Sequence, residues 1–132
     1  MTEKKMVYIA SPYAGDVEKN TAFAINACRY CIKKGHTPIA PHLLYTQMLD
    51  DNEPAQRETG LILGNQILRR CDELWVCGDR VSPGMAAEIA EAENLGITVK
   101  QVESSEIRFE GESITDIQTV VPSSNVMRLV IR

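Results

Sequence analysis

Cys71-Asp72-Glu73-Leu74-Trp75-Val76-Cys77-Gly78-Asp79-Arg80-Val81-Ser82-Pro83-Gly84-Met85-Ala86-Ala87-Glu88 is the stretch whose reading decides the fold. Its first part, Glu73 to Cys77, has the length and apolar content of a buried strand. Asp79 to Val81 reads as a turn. Ser82-Pro83 then starts a helix, with serine as N-cap and proline at the first helical position. Met85, Ile89 and Ala92 recur on one face of that helix, which ends near Gly96. A buried strand, a short turn and a capped helix make half of a βαβ unit, so the rest of the chain is read for further halves.

They are present on both sides. Met6 to Ala10 is an apolar run of strand length, followed by the turn residues Ser11 to Gly15 and by Asp16 as N-cap. From Val17 to Lys34 the residues Ala22, Ile25, Cys28 and Ile32 recur at helical spacing, widened by Ala24, Ala27 and Cys31. Gly35 suits the position just past that helix. Thr37 to Ala40 reads as a second strand. His42 to Glu53 has no clean period and reads as an ordered loop or short helix. Pro54 opens another helix, running to about Arg70, on which Gly60 and Gly64 allow one face to press closely on a neighbour. Ile97 to Val102 is a fourth strand. The alternation predicts a parallel sheet with right-handed crossovers, an α/β doubly wound three-layer α/β/α sandwich.

Residues 1–103 are expected to form this domain. Residues 104–132 read as a separate C-terminal tail, polar until an apolar run from Val126 to Ile131 that could add an edge strand or an oligomer contact. The 132 residues are enough for one core without disulfides or metal. The net charge of −4, with no basic stripe, argues against nucleic acid as a main partner. No secretory signal or membrane-length apolar run is seen, so a cytoplasmic location without membrane contact is expected. Cys28-x-x-Cys31 lies inside a helical pattern, and Cys71 and Cys77 are too widely spaced for a zinc knuckle. The cysteines are read as reduced, mostly buried small side chains, with no metal and no cofactor expected.

Ligands of open parallel sheets bind beyond the carboxyl ends of the strands. The loops there are Ser11 to Asp16, Pro41 to Asp51 and Gly78 to Gly84. They bring Ser11, Tyr13, His42, Asp79 and Ser82 toward one edge. The Ser82-Pro83-Gly84-Met85 turn offers backbone N–H groups to an anion, and Gly84 allows close approach. Glu88 lies six residues after Ser82, near the helix mouth.

Tyr8-Ile9-Ala10-Ser11-Pro12, Cys71-Asp72-Glu73-Leu74-Trp75-Val76, and Ser82-Pro83-Gly84-Met85-Ala86-Ala87-Glu88 with Ala92 resemble the nucleoside 2-deoxyribosyltransferase-like superfamily. That superfamily includes the deoxyribonucleoside 5′-monophosphate N-glycosidases. The stretch from Val7 to about Val102 is similar to a bacterial and phage branch, in which the Ala40-Pro41-His42 loop travels with these motifs. The resemblance implies a flavodoxin-like fold and a retaining double displacement at an N-glycosidic bond. It implies Glu88 as nucleophile and Tyr8 as a first-strand tyrosine lining the site. Ser82 and Gly84 correspond to the turn that holds phosphate. Ser11, Pro12, Tyr13 and Met85 are the further candidate ligand-binding positions.

The chain departs from the pattern at one point. The acid expected eight residues before Asp72 falls on Gly64. His42 or Asp79 is the candidate replacement, and His42 has the better unperturbed pKa. The expected partner is a small nucleoside or nucleotide, and a homodimer or larger homo-oligomer is expected. Two other readings stay open: a non-catalytic nucleotide-binding or sensing module, and an interaction protein with a vestigial pocket.

Overall fold

The computed structural model describes residues 4–107. The Val126 to Ile131 run lies outside them. Four parallel strands, β1 (Met6–Ala10), β2 (Thr37–Ile39), β3 (Glu73–Cys77) and β4 (Thr98–Val102), form one sheet in the order β2-β1-β3-β4. Four α-helices join them: α1 (Val17–Lys33), the short α2 (Pro41–Leu44), α3 (Pro54–Leu68) and α4 (Pro83–Asn94). A 3₁₀ turn follows α2 at Tyr45–Gln47 and another follows β4 at Ser104–Glu106. This is the doubly wound fold that the alternation predicts, of the flavodoxin-like kind that the resemblance implies.

Period-two alternation sorts the strand side chains into two cores. Val7, Ile9, Trp75 and Cys77 face the layer containing α1, where they meet Ala27 and Cys31. Tyr8, Ala10, Leu74 and Val76 face the opposite layer, where Leu68 of α3 and Met85 and Ala92 of α4 cover them. Burial of the largest of these contributes about 1.5–3 kcal/mol per side chain. Ile107, four residues past the expected boundary at residue 103, is buried on the α1 side of the core.

The buried line of α1 is not centred where its sequence suggests. Ala24, Ala27 and Cys31 are buried, whereas Ile25 is 47% exposed. Small side chains let the helix axis approach the sheet, and the bulkier Ile25 is left on the flank. Asp16 caps this helix as expected, accepting from Lys19 N. In the connection after β2, Pro41 opens α2 and His42 lies within it. Among the described residues no helix is long and apolar enough to cross a membrane.

The chain leaves β1 toward α1 and β2 on one side, then returns through α3 to β3 on the other. The winding therefore reverses between β1 and β3, which are paired with Tyr8 opposite Leu74 and Ala10 opposite Val76. Loops leaving adjacent strands in opposite directions open a crevice at that point.

Candidate active site

The crevice is a cleft of about 930 Å³. Its walls come from the loop after β1, from α2 and the turn following it, from one face of α3, and from the first half of α4. Ser11, Pro12, Tyr13, His42, Ser82, Gly84 and Met85 all line it, as do Tyr8 and Glu88.

Tyr8 and Glu88 meet on its floor. Tyr8 is the middle residue of β1 and points toward α3 and α4 with only 3% of its surface exposed. Its hydroxyl donates to Glu88 Oε2 at 2.5 Å. Glu88 reaches this point because α4 starts at Ser82, whose side chain accepts from Met85 N at 3.2 Å. Two opposing effects set the Glu88 pKa. Burial raises it, the Tyr8 hydrogen bond lowers it, and the net direction is up. The Tyr8 pKa is raised by burial and then by the adjacent carboxylate, so the phenol keeps its proton and remains the donor.

Gly64 lies under this pair. A Cβ there would stand 3.3 Å from the Tyr8 hydroxyl and 3.9 Å from Pro41 Cβ. The close helix approach expected of the α3 glycines is therefore made by Gly64 against the first strand. Gly60 faces Leu49 at the cleft wall.

A second polar pair holds the adjoining wall. Ser11 Oγ and His42 Nε2 are hydrogen-bonded at 2.9 Å. The Tyr13 ring sits edge-on to His42 with centroids 6.5 Å apart. Asn20 of α1 fixes the loop by donating to Tyr13 O and Ala14 O, both at 3.0 Å. Thr46 Oγ1 donates to His42 O at 2.6 Å. Burial pushes His42 down to about 4, so its ring is neutral at neutral pH and holds no extra proton to give.

Asp79 does not join the cleft lining. Gly78, at φ +114°, turns the chain above β4, where Gln101 Nε2 donates to Gly78 O at 2.9 Å. Asp79 Oδ1 then accepts from Ser104 N at 3.2 Å. Its neighbour Arg80 reaches the cleft instead. Sequence reasoning also passed over Tyr45, Gln56, Arg57, Asn65 and Glu91, which line the walls. Glu91 had a readable signal, since it follows Glu88 by three residues on one helix. Arg57 is paired with Asp51 at 3.1 Å.

The cysteines lie elsewhere as free thiols, with Cys28 and Cys71 pushed up by burial to about 11 and Cys31 and Cys77 to about 12. Among the described residues no group of three or more His, Cys, Asp or Glu side chains is placed to hold a metal ion.

A family model described as Domain of unknown function (DUF7768) matches residues 5–102. No curated protein matches the sequence. Among solved structures, the 2-deoxyribosyltransferase of the psychrotolerant bacterium Bacillus psychrosaccharolyticus, described as a biocatalyst for nucleoside synthesis, is 20% identical with a TM-score of 0.63. The match covers 83% of this chain and 76% of that one. A 2-desoxiribosyltransferase from Leishmania mexicana is also 20% identical, with a TM-score of 0.53 over 75% of this chain and 64% of its own. At such identities the likeness is one of fold.

Proposed function

The chain belongs to the DUF7768 family of domains of unknown function, and we propose that it cleaves or transfers at the N-glycosidic bond of a nucleoside or nucleotide-like metabolite. The observation that carries this reading is the Tyr8–Glu88 pair, a carboxylate held at 2.5 Å by a buried phenol on the floor of the cleft. The shared fold with two 2-deoxyribosyltransferases supports it.

In the proposed reaction Glu88 Oε1 attacks the anomeric carbon while Oε2 stays anchored to Tyr8. The carbon–nitrogen bond breaks and its electron pair leaves with the base. The resulting sugar ester on Glu88 is then opened by water or by a second base from the side the first base left, so configuration is retained. Met85 and Leu68 supply an apolar floor beneath the sugar. Ser82 and Gly84, with the N-terminal turn of α4, face the end of the cleft where a phosphate would be held. Ser11 and His42 form a neutral polar wall for hydrogen bonds to the ligand.

The test is a chromatographic screen of purified protein against nucleosides, nucleoside monophosphates and nicotinamide dinucleotides, beside Glu88→Ala. The expected result is base release by the wild type alone, with a sugar adduct on Glu88 seen by mass spectrometry. Gly64, where the resemblance places an acid, favours a second reading: a binding module that recognises a nucleotide without turning it over. A compound that raises the melting temperature but yields no product after long incubation would establish that reading instead. A homo-oligomer belongs to the proposal as well, supported by the adjacent Leu61 and Ile62 of α3, which are 58% and 61% exposed beside the cleft.

A further inference from the structure

We infer that the base this site releases already carries a positive charge, as in a pyridinium or N-alkylated purinium N-glycoside. The inference rests on the proposed attack by Glu88 and concerns the leaving group, which stands on the face of the sugar opposite the nucleophile. A neutral base departs as an anion unless a general acid protonates it, and that acid is worth roughly 10²–10⁴-fold in rate. A cationic base departs as a neutral molecule when it takes the bond's electron pair, so it needs no proton.

The cleft is furnished for the second case. The Tyr8 proton is committed to Glu88. Beneath that pair the floor is Gly64, and no acidic side chain can be placed there without displacing the Tyr8 hydroxyl, 3.3 Å from the Cβ position. Asp51 is tied to Arg57 at 3.1 Å. Glu91 follows Glu88 on the same helix face, so it stands beside the nucleophile and not across from it. The other walls carry Arg80 and the Asp51-paired Arg57 at the side of the cleft, and beside them aromatic rings. Tyr13 and Tyr45, both half-buried, line this cleft together with the His42 ring, while Tyr8 is packed beneath them. Faces of tyrosine attract cations and stack on flat heterocycles. His42 is uncharged at neutral pH and does not repel one.

The experiment compares nicotinamide mononucleotide and 7-methylguanosine monophosphate with adenosine and guanosine monophosphates, using full-length protein and Glu88→Ala. The expected kcat/KM for the cationic pair, each rate divided by its uncatalysed rate, exceeds that of the neutral pair by at least about 100-fold. With nicotinamide mononucleotide, kcat should also lack an alkaline limb between pH 6 and 9, because no acid has to stay protonated. Equal or faster cleavage of the neutral pair, or an alkaline limb with nicotinamide mononucleotide, overturns the cationic leaving group while leaving Glu88 as nucleophile. Cleavage of none of the four overturns the leaving-group inference. Continued silence of Glu88 toward the wider nucleoside screen is what would remove the nucleophile reading too.

Discussion

The Tyr8 hydroxyl and Glu88 Oε2 share a 2.5 Å hydrogen bond between residues eighty positions apart, so the strand and the helix that lines the cleft are locked together at the cleft floor. Tyr8→Phe removes the donor and leaves the ring in place. The hydrogen bond lowers the Glu88 pKa, so its loss raises that pKa further. The expected outcome is a fall in kcat of about 10–100-fold, with the acid limb of the pH–rate profile moved to higher pH. Circular dichroism should show an unchanged fold. An acid limb that stays in place would mean the phenol does not tune Glu88.

Gly64→Ala tests the other contact of the same phenol. Alanine in a helix interior is favoured over glycine by about 1 kcal/mol, which the 3.3 Å approach to the Tyr8 hydroxyl partly cancels. Thermal stability is therefore expected to change by less than about 1 kcal/mol. Activity should fall, because the hydroxyl has to move by a few tenths of an ångström and takes its hydrogen bond to Glu88 with it. A variant with full activity would show that the Tyr8–Glu88 geometry tolerates that displacement.

Much of the scaffold is legible in the sequence because the central strands β1 and β3 are short apolar runs buried on both faces and each major helix has a readable start. Glu73–Cys77 coincides with its expected limits, and Asp16, Ser82 and Pro83 act at the expected helix starts. The site was legible as three loops at one sheet edge, but not in every side chain. Asp79 and Arg80 are neighbours in one turn, and the ties of Gly78 to Gln101 and of Asp79 to Ser104, distant in sequence, leave Arg80 and not Asp79 at the cleft. Gln56, Arg57 and Asn65 lie on α3, which has no single apolar stripe to show which face turns inward. The depressed pKa of His42 comes from burial by residues distant in sequence, a property that residue type alone does not carry.

His42 should make stability fall in mild acid. Its folded pKa of about 4 lies below the ordinary value of 6.5, so the unfolded chain takes up a proton that the folded one refuses. The stabilising contribution is complete above pH 6.5 and is lost as pH falls to 4, amounting to about 2–3 kcal/mol. Chemical denaturation across this window should show the loss in the wild type and a flatter curve in His42→Gln. If the two curves run parallel, the ring is protonated in the folded state.

Glu73 acts in a lower window and with a different dependence on salt. It is 3% exposed at the opposite end of the sheet from the cleft, where it accepts from Lys5 Nζ and from Trp75 Nε1, both at 2.8 Å. Lys100 Nζ lies 3.4 Å from Oε1, the oxygen that accepts from Trp75. Burial alone would raise its pKa, but the hydrogen bonds from Lys5 and Trp75 and the two positive charges outweigh that and hold it at about 2. A carboxylate with a depressed folded pKa contributes fully above its unfolded value of about 4.3 and loses that contribution as pH falls toward 2. Glu73→Gln keeps an acceptor for Trp75 but removes the charge, at an expected cost of about 2 kcal/mol at pH 7. Because both ammonium groups are about half exposed, with 42% and 53% of the side-chain surface accessible, salt should screen part of that difference. Urea denaturation at pH 7 in low salt and in 1 M sodium chloride is the check: the gap between wild type and variant should narrow in high salt without closing. A gap that vanishes would reduce Glu73 to a surface ion pair, and one that does not move would show that salt does not screen the Lys5 and Lys100 charges from this carboxylate.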